Sequence, residues 1–354
     1  MSNANFHMEF IKCSTEREGM KLYDAKCEPF RIYGVFHDGE RYRRVPKQIA
    51  EATSVGVELL AKNTAGGRVR FATDSPYVFI KAVYGKAHVM THMAVTGIAG
   101  FDLYQYHNGK EVYDSTFRPP LPEETVGGFE AIREWGTRRM RYININFPLY
   151  NSLRELYIGL DEGSVLECAP DYKYECPIVF YGSSITQGGC ASRPGTAYQP
   201  IVTRHFDVNH INLGFSGNAK GEDAIANYIA SLDMSMFVYD YDHNAPSADH
   251  LQATHEKMFL KIREAHPNLP IIMMSRPKFS LSSDEKRRLS IIETTYKNAI
   301  SRGDKNVYFI PGYELCRDND NTVDGCHPTD YGFRCMADRL IAEIEKIGTY
   351  NTVE

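Results

Sequence analysis

The chain has 354 residues, 43% of them hydrophobic and 24% charged, with a formal net charge of -5. That balance fits a globular protein large enough for two ordinary domains. It leaves no basic face for nucleic acid and no polybasic stretch for a membrane surface, and no apolar run approaches the ~20 residues of a membrane helix.

The opening segment, MSNANFHMEF, has neither a basic start nor an apolar stretch, so no secretory leader is read there and a cytoplasmic protein is expected. The cysteines (Cys13, Cys27, Cys168, Cys176, Cys190, Cys316, Cys326, Cys335) form no CxxC pair and no cluster with zinc-ligand spacing. Reduced thiols are expected, with no metal and no cofactor.

Residues 1–170 read as β. RVRFATDSPYVFIKAVYG (68–85) alternates apolar and polar residues around an Asp74-Ser75-Pro76 turn, the period of half-buried strands. GIAGFDLYQYHNGKEVYDSTF (97–117) holds two strand-like runs about His107-Asn108-Gly109, a hairpin signal. MRYININFPLYNSLRELYIGLD (140–161) alternates again, with Tyr142, Ile143, Ile145 and Phe147 as β-branched and aromatic bulk. Many short strands with frequent turns predict an antiparallel, jelly-roll-like sandwich.

The rhythm changes around 161–177, and residues 171–354 form the expected second domain. Short apolar runs at 178–181, 208–213, 236–240, 270–275 and 307–310 alternate with helical patterns at 247–267, 283–303 and 330–348. This alternation predicts a parallel sheet with helices on both faces.

In such a sheet, sites form at the carboxyl ends of the strands. After the first run stands Gly182-Ser183-Ser184-Ile185-Thr186; after the second, NLGFSGN (212–218) with Gly217; after the third, YDYDHNAP (239–246) with Asn244. Near the end, VDGCHPTD (323–330) places Asp324 three residues before His327. A serine hydroxyl needs a base, which His327 can supply and Asp324 can orient. Acyl transfer also needs donors for the tetrahedral oxygen, and the Ser184 and Gly217 N–H groups with the Asn244 amide make three.

The order Ser, Gly, Asn, then DxxHP resembles the SGNH (GDSL-like) hydrolase superfamily of esterases and lipases, over about 175–350. The resemblance implies a flavodoxin-like three-layer α/β/α domain. It implies Ser184 as nucleophile, Asp324 and His327 as acid–base pair, and Ser184, Gly217 and Asn244 as oxyanion hole. Ser183 stands where the family has aspartate, and Asn244 follows Asp242-His243 instead of the usual Gly-x-Asn-Asp pattern. GFDLY (100–104) resembles the GxDLY β-sandwich module found ahead of a bacterial SGNH subgroup.

The implied activity is hydrolysis of short acyl esters, acetyl first, on a carbohydrate or another small polar alcohol, with Ser183 and Arg193 as substrate contacts. Two alternatives stay open: an acyltransferase using the same residues, and a carbohydrate-binding protein with an inactive SGNH half, motivated by Tyr104, Tyr106 and Trp135. A Cys190 or Cys326 nucleophile is disfavoured because neither follows a strand directly. DYDH (240–243) reads as a polar strand end, and DNDNTVDG (318–325) fails the calcium-loop pattern.

Overall fold

The computed structural model describes residues 18–85, 89–107, 110–120 and 127–351; the opening segment, Cys13 and the Asn108-Gly109 turn lie outside them. In the first half, a four-stranded antiparallel sheet runs Met20–Asp24, Glu155–Asp161, Tyr77–Val83, Gly128–Glu134. A second runs Leu166–Glu167, Arg68–Thr73, Arg141–Asn146, Phe101–His107, Lys110–Phe117, with Arg31–Tyr33 also paired to Arg68–Thr73. Val69, Phe71, Leu103 and Ile143 of one sheet share a buried cluster with Val78, Ile80, Leu156 and Ile158 of the other.

The strand Arg68–Thr73 is buried at every position, not at alternate ones. Its second face is covered by the other half of the chain. Arg68 Nε donates to Tyr172 Oη at 2.6 Å and its Nη1 to the His210 carbonyl at 3.2 Å, while the Arg70 guanidinium lies 4.1 Å from the Tyr172 ring centre. Polar residues at the alternate positions therefore face a protein interface instead of water.

The all-β reading of the first half missed three short helices among the described residues, Lys47–Thr53, Val55–Leu60 and Val95–Ile98, the second capped by Ser54. At seven, six and four residues they are too short to display a 3.6-residue period. Ala50 and Val57 pack into the core of the other half beside Leu213 and Ile225. Arg44, just before them, is buried with no carboxylate partner among the described residues. It donates instead to the carbonyls of Asn63, Leu60, Asn212 and Gly214.

In the second half, five parallel strands run in the order Val208–Gly214, Tyr174–Gly182, Met236–Asp240, Ile271–Met274, Val307–Ile310. This is the 2-1-3-4-5 order of flavodoxin-like sheets. Side chains alternate between two cores: Ile178 and Phe180 join the helices Tyr198–Phe206 and Asp330–Ile347, and Val179 and Tyr181 join Asp223–Ala230, Ala248–Ala265 and Ser283–Ser301. Ser247 caps the helix expected at 247–267, Ser282 and Glu285 form a capping box on the next, and Gly348 ends the last in a left-handed conformation. The strand order reverses beside Tyr174–Gly182, so a crevice opens past its carboxyl end.

Candidate active site

Strand Tyr174–Gly182 ends on a residue that has no room for a side chain. A Cβ on Gly182 would lie 1.8 Å from Asp240 Oδ1. The chain turns at once into the short helix Ser184–Gln187. Ser183, expected to contact substrate, is fully buried, and its hydroxyl accepts the Ile185 N–H at 3.2 Å as the helix cap. That expectation is corrected: with its oxygen used by the backbone and no exposed surface, Ser183 shapes the turn.

Ser184 is the first residue of this helix, so its N–H has no intrahelical acceptor. Its Oγ lies 2.9 Å from His327 Nε2, across 143 residues of sequence. His327 Nδ1 lies 2.8 Å from Asp324 Oδ2. Asp324 Oδ1 accepts the N–H groups of Cys326 and His327 at 3.0 and 2.8 Å. Burial pushes the Asp324 carboxyl up, but those donors and the imidazole outweigh it and hold it down at about 2. The carboxylate is therefore ionised at neutral pH and fixes the tautomer that leaves Nε2 free to accept.

Asn244 is tied through Phe215 to the turn that carries Gly217. The Phe215 carbonyl accepts the Asn218 N–H at 2.8 Å and the Asn244 side-chain amide at 2.9 Å, and the Phe215 N–H donates to Gly182 at 2.8 Å. Gly217 sits at φ +68, where a side chain would be strained. Gln187, which sequence reasoning did not single out, ties this turn to the serine helix: its Oε1 accepts the Ser216 N–H at 3.0 Å, and its Nε2 donates to the Leu149 carbonyl at 3.1 Å. It is fully buried, and only the fold reveals what it joins.

Under the serine turn lies a buried acid. Asp240 accepts the Thr186 hydroxyl and the Ser183 N–H, and burial first, then its neighbour Asp242, pushes its carboxyl up to about 8 despite those donors. An unfolded aspartate titrates near 3.9, so the folded chain keeps a proton that the unfolded chain has lost. This contribution to stability is fully present below about pH 4 and fades as pH rises to and through 8, at about 1.4 kcal/mol per unit. Asp240→Asn keeps the acceptor and removes the titration. We expect urea midpoints of wild type and variant to diverge between pH 5.5 and 8.5, with the wild type falling by about 1–3 kcal/mol relative to the variant. Parallel curves would show that Asp240 ionises freely.

Arg193 faces the sandwich. Its guanidinium donates to Asp102 Oδ2 at 2.7 Å and Tyr104 Oη at 2.6 Å, and lies 3.9 Å from the Tyr113 ring centre. Both bonds come from Nη1, so that nitrogen is engaged within the protein, whereas a substrate contact was expected of this side chain. Asp102 also accepts the Gly195 N–H at 2.8 Å and the Asn146 amide at 2.9 Å. The aspartate and tyrosine of GFDLY therefore hold residues 193–195. The same loop is gripped from its other side by Asp330, which accepts the Ser192 N–H at 2.9 Å and the Thr196 hydroxyl at 2.8 Å. Asp330 begins the helix that follows His327. Tyr150, also from the first half, donates to the Ser184 carbonyl at 3.2 Å.

Tyr104 is buried, and Trp135 donates its N–H to Asp114 at 3.0 Å under the Arg141 guanidinium; neither ring is a free platform. Within DYDH, Asp240 and Asp242 are buried, and Asp242 accepts the Arg276 N–H at 3.0 Å. Burial pushes the Cys190 thiol up to about 12 and raises Cys326 too, which disfavours either as a thiolate.

Residues 175–345 match the model of the GDSL-like Lipase/Acylhydrolase family, and residues 20–166 match that of the N-terminus of Esterase_SGNH_hydro-type. The structure is similar to that of a GDSL-like lipase from Bacteroides ovatus ATCC 8483, at TM-score 0.85 and 28% identity over 94% of this chain and 99% of that one. A salicylyl-acyltransferase from a tetracycline biosynthetic pathway superposes at 0.79 with 18% identity, over 94% and 99% of the two chains. An acetyl xylan esterase from the rumen bacterium Butyrivibrio proteoclasticus does so at 0.60 with 13% identity, over 94% and 100%. At those identities the last two share the fold alone. No curated protein sequence matches. With its two halves matched by the two family models in the same order, the chain belongs to the GDSL-like (SGNH) hydrolases, in the group that carries a GxDLY module ahead of the hydrolase domain.

Proposed function

We propose that this hydrolase is a serine esterase that removes short acyl groups, acetyl first, from a carbohydrate or another small polar alcohol. The observation that carries the reading is the unbroken chain from Ser184 Oγ through His327 to Asp324, with contacts of 2.9 and 2.8 Å. Ser184 attacks the ester carbonyl while His327 Nε2 takes its proton. The tetrahedral oxygen is received by the Ser184 and Gly217 N–H groups and the second amide hydrogen of Asn244, each donor worth ~10²–10³ in rate. His327 then gives its proton to the departing alcohol, leaving an acyl-enzyme. Water, deprotonated by the same imidazole, releases the acid. Asp324, held ionised, stabilises the imidazolium in both steps.

A small, polar substrate is supported by the loop over the serine, GGCASRPGT, which offers no long apolar side chain for a fatty tail. The acetyl xylan esterase among the structural relatives points the same way by its name. The test is hydrolysis of p-nitrophenyl acetate, butyrate and octanoate by the wild type, followed by acetylated xylo-oligosaccharides with xylobiose as competing acceptor. We expect kcat/KM to fall at least ~10-fold from acetate to octanoate, since each methylene without a pocket forfeits binding, and acetate ion to be the product. Preference for octanoate would overturn the substrate class. Acetylated xylobiose as main product would replace hydrolysis by acyl transfer.

A further inference from the structure

We propose that His92, Cys190 and His327 form a site for a thiophilic divalent cation, zinc above all, and that its occupancy switches the esterase off. Donor atoms of the three side chains all lie within 4.8 Å of one another. Two imidazole nitrogens and one sulfur suit zinc and exclude magnesium or calcium, which take oxygen. Zinc bonds of about 2.0–2.3 Å require the donors to close up by roughly an ångström, and His92 is exposed and able to turn. Its ring already stands 5.3 Å from that of His327, tilted by 41°.

The geometry at two of the three ligands is compatible with a bound cation. His327 presents its far nitrogen to Asp324 Oδ2 at 2.8 Å, the carboxylate–histidine pair that orients metal-bound imidazoles. The nitrogen left for the cation is Nε2, the one Ser184 needs. Cys190 is held at φ +73, in the left-handed region that a residue with a side chain avoids, and is 7% exposed. Such an outlier at a site persists only when its surroundings enforce it. On binding, the S–H bond breaks, its proton passes to solvent, and the sulfur pair forms the metal bond, with no change in oxidation state. The fourth position, facing the crevice, takes water.

The switching consequence rests on the esterase reading; the binding does not, and the experiment separates them. Zinc is titrated into p-nitrophenyl acetate hydrolysis by wild type and His92→Ala, with EDTA reversal. In parallel, cobalt(II) is added to wild type, Ser184→Ala and Cys190→Ser, and the sulfur-to-cobalt charge-transfer absorption is read. We expect zinc to silence the wild type reversibly. His92→Ala should keep its metal-free rate and need at least ~10-fold more zinc. The cobalt band should appear in wild type and in Ser184→Ala, and vanish in Cys190→Ser. Equal zinc sensitivity of wild type and His92→Ala, or a cobalt band that survives Cys190→Ser, would overturn the site. If no ester is cleaved at all, the cobalt band still decides the binding.

Discussion

Ser184→Ala is expected to lower kcat/KM for p-nitrophenyl acetate by roughly 10⁴–10⁶-fold, the loss seen when a triad serine is removed, with the fold intact. The fold survives because Ser184 is not the residue that builds the turn. The cap on helix Ser184–Gln187 is the hydroxyl of Ser183, and the lower side of the turn is held by Thr186 and Asp240. The contact removed is the one to His327, 2.9 Å away. Ser183→Ala should behave in the opposite way, costing about 1 kcal/mol of stability from the lost cap and much less activity. Urea unfolding alongside the rate assay reads both. A Ser184→Ala protein that kept a tenth of wild-type activity would remove Ser184 from the chemistry and redirect attention to the buried cysteine beside His327.

The second large effect is expected far from the serine in sequence. Asp102→Ala, in the GFDLY strand of the sandwich, should lower kcat by about 10²-fold, the penalty for a misplacement of about an ångström, and cost about 2–4 kcal/mol of stability. Asp102 is fully buried and accepts from Arg193, the Gly195 N–H and Asn146. Removing it leaves a half-buried guanidinium and two buried donors without their acceptor. The loop they hold is the one that Asp330 grips next to His327, so slack at residue 102 passes to the base. The expected signature is a fall in kcat with little change in KM, measured well below the unfolding midpoint, and partial recovery in Asp102→Asn. Unchanged kcat in a destabilised protein would make Asp102 a structural residue only.

This coupling gives the first half a role that does not require it to bind sugar. Two of the aromatic residues that suggested a binding module are used internally: Tyr104 takes a hydrogen bond from Arg193 and faces Arg204, and Trp135 is fixed by Asp114. Tyr150 and Leu149 reach the serine helix directly or through Gln187. The sandwich is part of the wall and frame of the site.

The features legible in residue order follow from local rules. Alternation marked the strands Arg68–Thr73, Tyr77–Val83 and Arg141–Asn146, and capping serines and terminal glycines marked the long helices. The positions of Ser184, Gly217 and Asn244 after strands, and of Asp324 and His327 on the loop before the last helix, were legible because a parallel sheet collects its loops at one end. The rest needed tertiary structure, since it depends on which surfaces meet. Period-2 arginines at 68 and 70 look solvent-facing until the second half covers them. Ser183 and Arg193 look available until their polar atoms find Ile185 and Asp102. Lys47–Leu60 is helical because of the core it enters, a preference too weak in six or seven residues to be read alone. His92, Cys190 and His327, each about a hundred residues or more from the next in sequence, become neighbours only when the chain closes on itself, because ligand geometry is a property of space that residue order does not encode.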